Sequence, residues 1–121
     1  MQYAHARICS LVAALAAEGH PVPKAADVDF SHLSGETEKA LIKQLSLLPE
    51  EVCLAALNYD PSRINRYLIE LAGRFHRFYT ACRIKDAEPG VLEARLKLAD
   101  SVRAVLALAL GIIGVSAPEK M

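Results

Sequence analysis

One stretch limits what this chain can fold into more than any other: residues 61–85, PSRINRYLIELAGRFHRFYTACRIK. Ile64, Leu68, Leu71, Phe75, Phe78 and Cys82 recur there at three- and four-residue steps. At about 3.6 residues per turn those positions align in one apolar stripe. Asp60 reads as an N-cap ahead of Pro61, which sits at a first helical position where its missing N–H costs nothing. A helix patterned this way must bury one face against the rest of the chain. Its flanks are left for chemistry.

The other segments follow the same period. Residues 2–17 put Ala4, Ile8, Leu11 and Leu15 on one face, with Gly19 placed to stop the helix. Residues 20–34 hold two prolines and no helical period, so a loop is expected, with one turn packed through Phe30 and Leu33. Ser34 reads as the cap of a helix carrying Ala40, Leu41, Gln44, Leu45 and Leu48, with Glu36 and Glu38 favouring its dipole. Pro49 opens a short helix, residues 49–57, with Val52, Cys53, Ala56 and Leu57 as its expected inner face. After a turn at residues 86–90, a last helix spans residues 91–113 and stops at Gly114. Its inward stripe is Leu92, Leu96, Ala99, Leu106, Leu110 and Ile113, and Arg103 falls on that stripe, about 20° from Leu92. A half-buried arginine there needs a carboxylate or helix-end carbonyls as partner. Residues 104–113 are apolar all round, so that half is expected to be central. No alternating strand pattern competes. The expectation is an all-α bundle of about five helices forming one domain, residues 1–121.

An apolar fraction of 53% supplies a packed core, yet no run reaches the roughly 20 residues that span a bilayer. Met1 leads straight into a helix with no basic region or cleavage site, so no signal peptide is expected. That helix also opens without a capping side chain, and natural chains rarely begin mid-helix. The chain therefore reads as a piece of a longer protein. Cys9, Cys53 and Cys82 are odd in number and lack paired or metal-like spacing, which fits reduced thiols in the cytoplasm.

Catalytic patterns fail. No phosphate-binding glycine loop, nucleophile elbow or H-E-x-x-H helix is present. His5 and Cys9 lie one turn apart, but two further ligands are not evident, so no metal site is expected.

Nucleic-acid contact is better supported. Fourteen basic residues balance fourteen acidic ones, which excludes a uniformly basic binder but not a local patch. Arg63, Arg66, Arg74 and Arg77 fall within about 80° of one another beside the apolar stripe, with Tyr67 and Phe78 at the boundary. They form either a set of phosphate contacts or a solvated face laced by Glu70. On the other flank His76, Tyr79 and Arg83 share a side at steps of three and four. A tyrosine between two potential donors is a platform for an unstacked base, whose edge an arginine can read. Tyr3 and Arg7 repeat the ring-and-guanidinium pairing on the first helix, with Ser10 nearby.

Four segments then occur in order: QYAHARICS at residues 2–10, FHRFYTACRI at 75–84, ARLKLADSVRAVL at 94–106, and the ending LGIIGVSAPEKM at 110–121. Together they closely resemble the anticodon-binding DALR domain at the C-terminus of arginyl-tRNA synthetases. Asp100, Ser101, Val102 and Arg103 stand at the tetrapeptide that names the family, with its Asp and Arg kept and the middle pair changed. The resemblance implies a parent class I enzyme of the cytoplasm that joins arginine to its tRNA with ATP and magnesium. Its catalytic domain, with HIGH- and KMSKS-type signatures, would lie upstream. Neither signature occurs here, so no cofactor is expected in this fragment, and it should bind arginine tRNA without aminoacylating it. Neither DNA nor a membrane is implied as partner. Carried over motif by motif, the resemblance points to Tyr3, Arg7, His76, Tyr79, Arg83 and Met121 around the anticodon loop, and it moves the expectation away from the Arg63–Arg77 stripe. Arg103 is assigned to fixing the last helix and the exit of the tail. The competing reading is a helical protein-interaction module that docks partners on the apolar outer side of residues 104–113.

Overall fold

The computed structural model describes residues 1–120. It contains five α-helices: α1 (Gln2–Ala17), α2 (Glu36–Ser46), α3 (Leu48–Leu57), α4 (Ser62–Ala81) and α5 (Val91–Ile112), with single 3₁₀ turns at Ala25–Asp27 and Phe30–His32. No strand occurs among the described residues, and no helix is long and apolar enough to cross a membrane. The all-α bundle expected from the periodicity is what forms.

Helix α4 is the hub, packing against each of the other four helices, while α1 also lies along α5. Its stripe is buried as the spacing required: Leu68, Leu71, Phe75 and Phe78 have no exposed surface and Ile64 almost none. Each such side chain contributes about 1.5–3 kcal/mol of burial. Tyr67, expected at the margin, is also inside. Its hydroxyl donates to the Gln44 carbonyl at 2.8 Å, and the Gln44 amide donates back to the Tyr67 carbonyl at 3.3 Å. Burial, and then the Glu51 carboxylate, push the Tyr67 phenol up to about 12. This reciprocal pair joins α2 to α4.

Several details depart from the sequence expectation. Helix α4 ends at Ala81, and Cys82 is extended, with φ −120° and ψ 114°. Beyond it burial alternates, with Cys82 and Ile84 in and Arg83 and Lys85 out, which is the period of extended chain. Gly35, not Ser34, caps α2, and its N–H is taken by the Glu38 side chain at 3.2 Å. Leu33 is buried as expected, but Phe30 is 50% exposed. Helix α3 packs chiefly against α4 and, less, against α2, so one narrow edge is covered. Ala55 is buried and Val52 half-buried, whereas Cys53, Ala56 and Leu57 face outward. In α5 Leu92, Leu96, Ala99, Leu106 and Leu110 of the expected stripe are inside and Ile113 is half-buried, but the C-terminal half is not central, with Leu108 58% and Ile112 51% exposed. Helix α1 and the Ile64 end of α4 cover one side of that half and leave the other open.

Two glycines set chain reversals. Gly19 and Gly114 have φ of 89° and 77°, a region side chains with a Cβ avoid. After Gly114 the Val115 N–H donates to the Leu110 carbonyl at 2.9 Å and the Gly114 N–H to Gly111 at 3.2 Å. That is a Schellman ending. It returns the tail toward α1.

Candidate nucleic-acid interface

Where α1 crosses α4, four of the expected residues come together. The Arg7 guanidinium lies 4.0 Å from the Tyr79 ring centroid and 6.0 Å from that of Tyr3, within the range of cation–π attraction. Its Nη1 donates to His76 Nδ1 at 3.4 Å. The Tyr3 and His76 rings are 6.0 Å apart and tilted by 30°, and Phe75 backs both His76 and Tyr79 from the core. Tyr3 is 56% exposed, while Arg7, His76 and Tyr79 are half-buried. The result is a supported surface with one open ring and one guanidinium at its centre.

Charge singles out Arg7. Arg63 pairs with Glu51 at 2.7 Å, Arg66 with Asp60 at 3.4 Å, Arg74 with Glu70 at 2.7 Å and Arg77 with the same Glu70 at 3.6 Å. Arg83, Arg95 and Arg103 have Asp86, Glu38 and Asp100. Of the arginines, Arg7 alone has no carboxylate partner among the described residues. The basic stripe on α4 is thus held in ion pairs, and Arg74 also donates to the Ala40 carbonyl of α2 at 2.8 Å. Its arginines brace helices as much as they face water.

Arg83 is not on the helix face it was expected to share, because α4 has ended one residue before Cys82. It stands in the extended segment with its side chain 84% exposed, 3.6 Å from Asp86. It nevertheless lines one cleft with Tyr79 and Leu11, about 250 Å³ in volume. A smaller cleft, about 180 Å³, opens between Tyr3, Ala6, Arg7 and Ser10.

The tail returns to α1 beside this surface. Gln2 Nε2 donates to the Ser116 carbonyl at 3.0 Å, and His5 Nδ1 lies 2.8 Å from the Pro118 carbonyl. Gln2 and His5 were not among the expected functional residues. The available signal was a polar histidine on the apolar face between Ala4 and Ile8. Met121 lies outside the described residues. Arg103 is half-buried, its Nε 2.7 Å from Asp100 Oδ1. No group of three His, Cys, Asp or Glu residues that could hold a metal occurs among the described residues.

Comparison with known proteins gives one answer. The family model described as the DALR anticodon binding domain matches residues 1–121. An arginine–tRNA ligase of Symbiobacterium thermophilum is 49% identical over the whole chain, and one of Acetivibrio thermocellus is 43% identical. In each case the chain spans only 22% of that protein's length. Thermus thermophilus arginyl-tRNA synthetase superposes on 99% of the chain with a TM-score of 0.83 at 31% identity, matching 20% of its own length. A helical bundle with the tail folded back on α1, matched from end to end in both sequence and structure, makes the chain a member of the DALR anticodon-binding domain family.

Proposed function

We propose that this chain is the anticodon-reading module of a cytoplasmic class I arginine–tRNA ligase and binds the anticodon loop of arginine tRNA. The supporting observation is Arg7, a guanidinium without a carboxylate among the described residues, set between two tyrosine rings at the crossing of α1 and α4. Bases splayed from the loop stack on Tyr3 and on the accessible part of Tyr79, each stack contributing about 1–3 kcal/mol. The family resemblance implies an anticodon whose middle base is cytosine, whose O2 and N3 accept hydrogen bonds. Arg7 can only donate. A base that presents an N–H at that edge leaves buried donors unpaired, at a cost of about 1–3 kcal/mol. Arg83, exposed at the mouth of the adjoining cleft, approaches the loop backbone or a flanking base, and Met121 belongs to the same set. Arg63, Arg66, Arg74 and Arg77 serve as phosphate contacts at most secondarily, since each already faces a carboxylate.

ATP and magnesium act in the remainder of such a ligase, because the chain carries neither an HIGH- nor a KMSKS-type signature. That remainder has an apolar face to dock on. Tyr59 is 93% exposed, and with Val52, Ile64, Ile112 and Ile113 it lines a groove of about 420 Å³.

Filter binding of the 121-residue chain to arginine tRNA, and to the same tRNA with its middle anticodon base changed to uracil, tests the proposal. The native tRNA should bind at least about tenfold more tightly. Tyr3→Ala should weaken binding about 5- to 100-fold and leave the melting temperature nearly unchanged, since the ring is 56% exposed. Equal retention of the two tRNAs would overturn the reading.

A further inference from the structure

The tail is held down. Beyond the Gly114 reversal, Gln2 takes the Ser116 carbonyl at 3.0 Å and His5 the Pro118 carbonyl at 2.8 Å, while Ala117 packs against the core. His5 is 4% exposed. A carbonyl can only accept, so Nδ1 carries the proton and donates. The other neighbour of that nitrogen is the Cys9 thiol at 3.7 Å, a weak partner. A buried imidazole nitrogen therefore depends on the tail for its hydrogen bond, and the tail depends on it for position. Around α1, the side made by Gln2, His5 and Cys9 lies about a third of a turn from the side made by Tyr3, Arg7 and Ser10. The tail thus runs along the border of the proposed RNA surface.

Resting on the RNA-binding reading above, we propose that His5 is a positioning residue: it clasps the Pro118 carbonyl and so lays residues 115–120 along the rim of the Tyr3/Arg7 surface, making the tail a wall for a bound anticodon loop. The histidine itself does not touch RNA. It acts through the tail, and that separates it from a residue that merely supports the fold.

A double-mutant cycle tests this on the 121-residue chain. The probe is an arginine tRNA anticodon stem–loop, titrated by fluorescence anisotropy. The chains are the wild type, His5→Ala, His5→Asn, a chain truncated after Gly114, and the truncated chain with His5→Ala. His5→Ala should weaken binding about tenfold, and truncation at least as much. In the truncated background the same substitution should change affinity less than about twofold, because the group it acts through is gone. His5→Asn, whose amide N–H can occupy the place of Nδ1–H, should recover most of the loss. Amide ¹⁵N relaxation provides a readout free of RNA: Ala117 and Glu119 should be ordered in the wild type and in His5→Asn, and mobile in His5→Ala. Equal losses in both backgrounds, or a tail as ordered in His5→Ala as in the wild type, would overturn the proposal. Should His5→Ala melt too low to use, Gln2→Ala cuts the other tie and enters the same cycle. A wild-type chain that ignores the stem–loop refutes the RNA reading, and the relaxation data then decide the clasp alone.

Discussion

His76 gives the clearest case of a single residue shaped by its neighbours. Burial first, then the Arg7 guanidinium, then the N-terminal ammonium hold its imidazole below the ordinary value of 6.5. The neutral ring is the form Arg7 needs, since Nδ1 must accept from Nη1. Because the folded state resists the proton, the unfolded chain binds more protons once pH drops below about 6.5, and stability falls with falling pH. The contribution is complete above that value and is lost as pH drops toward the lowered folded one. Thermal melts from about pH 7.5 to about pH 5 should therefore show a steeper loss in the wild type than in His76→Gln; parallel curves would mean that His76 is not held neutral. The spacing of Tyr3 with Arg7, and of His76 with Tyr79, was visible in the sequence as two separate pairs. Their union across α1 and α4 was not, because helical periodicity reports faces and says nothing about which faces meet.

At the scale of elements, periodicity placed α1 at its observed limits and failed at the end of α4. Cys82 continues the apolar register of the helix, so the sequence reading carries the helix four residues too far, to Lys85. The alternation of Cys82, Arg83, Ile84 and Lys85 carried the opposite message, and burial follows it. Hydrogen bonding shows why that break is stable. Arg95 of α5 donates to the Arg83 carbonyl at 2.7 Å and faces the Glu38 carboxylate of α2 at 3.6 Å. Glu38 is itself 3% exposed and also caps α2 through the Gly35 N–H. One side chain thus joins α2, α5 and the segment that carries Arg83. Arg95→Ala strands a buried carboxylate and a carbonyl together, and should cost about 2–3 kcal/mol in urea unfolding. The contact is partly open to water, with Arg95 22% exposed, which keeps the figure below that of a fully enclosed pair. A loss under about 0.5 kcal/mol would place Arg95 among ordinary surface residues. Exposed Leu57, Leu108 and Ile112 were misplaced by the sequence for a different reason. An apolar residue reads the same whether it meets this chain or another.

For the molecule as a whole, charge decides how RNA is approached. The chain is formally neutral, and the most basic-looking feature of its sequence, the α4 stripe, is answered by Glu51, Asp60 and Glu70. Composition alone could not show that cancellation, since Glu51 and Asp60 lie outside the helix they neutralise. What remains for phosphates without a carboxylate beside it is Arg7 and a few surface lysines, so recognition must lean on stacking and base edges more than on counterion release. For single strands each neutralised phosphate adds a slope of about −0.7 to log K against log salt. Two or three contacts then give a slope between about −1.4 and −2.1, well short of that of a protein tracking RNA through a basic groove. Titrations of the anticodon stem–loop from about 50 mM to about 300 mM salt should return a slope in that range. Arg66→Gln and Arg77→Gln should leave it unchanged, because each removes a charge already matched by an acid, whereas Arg7→Gln should flatten it and lower affinity at every salt concentration. A wild-type slope of about −4 or steeper would mean that the α4 ion pairs open on binding and that the stripe, not the α1–α4 crossing, carries the RNA.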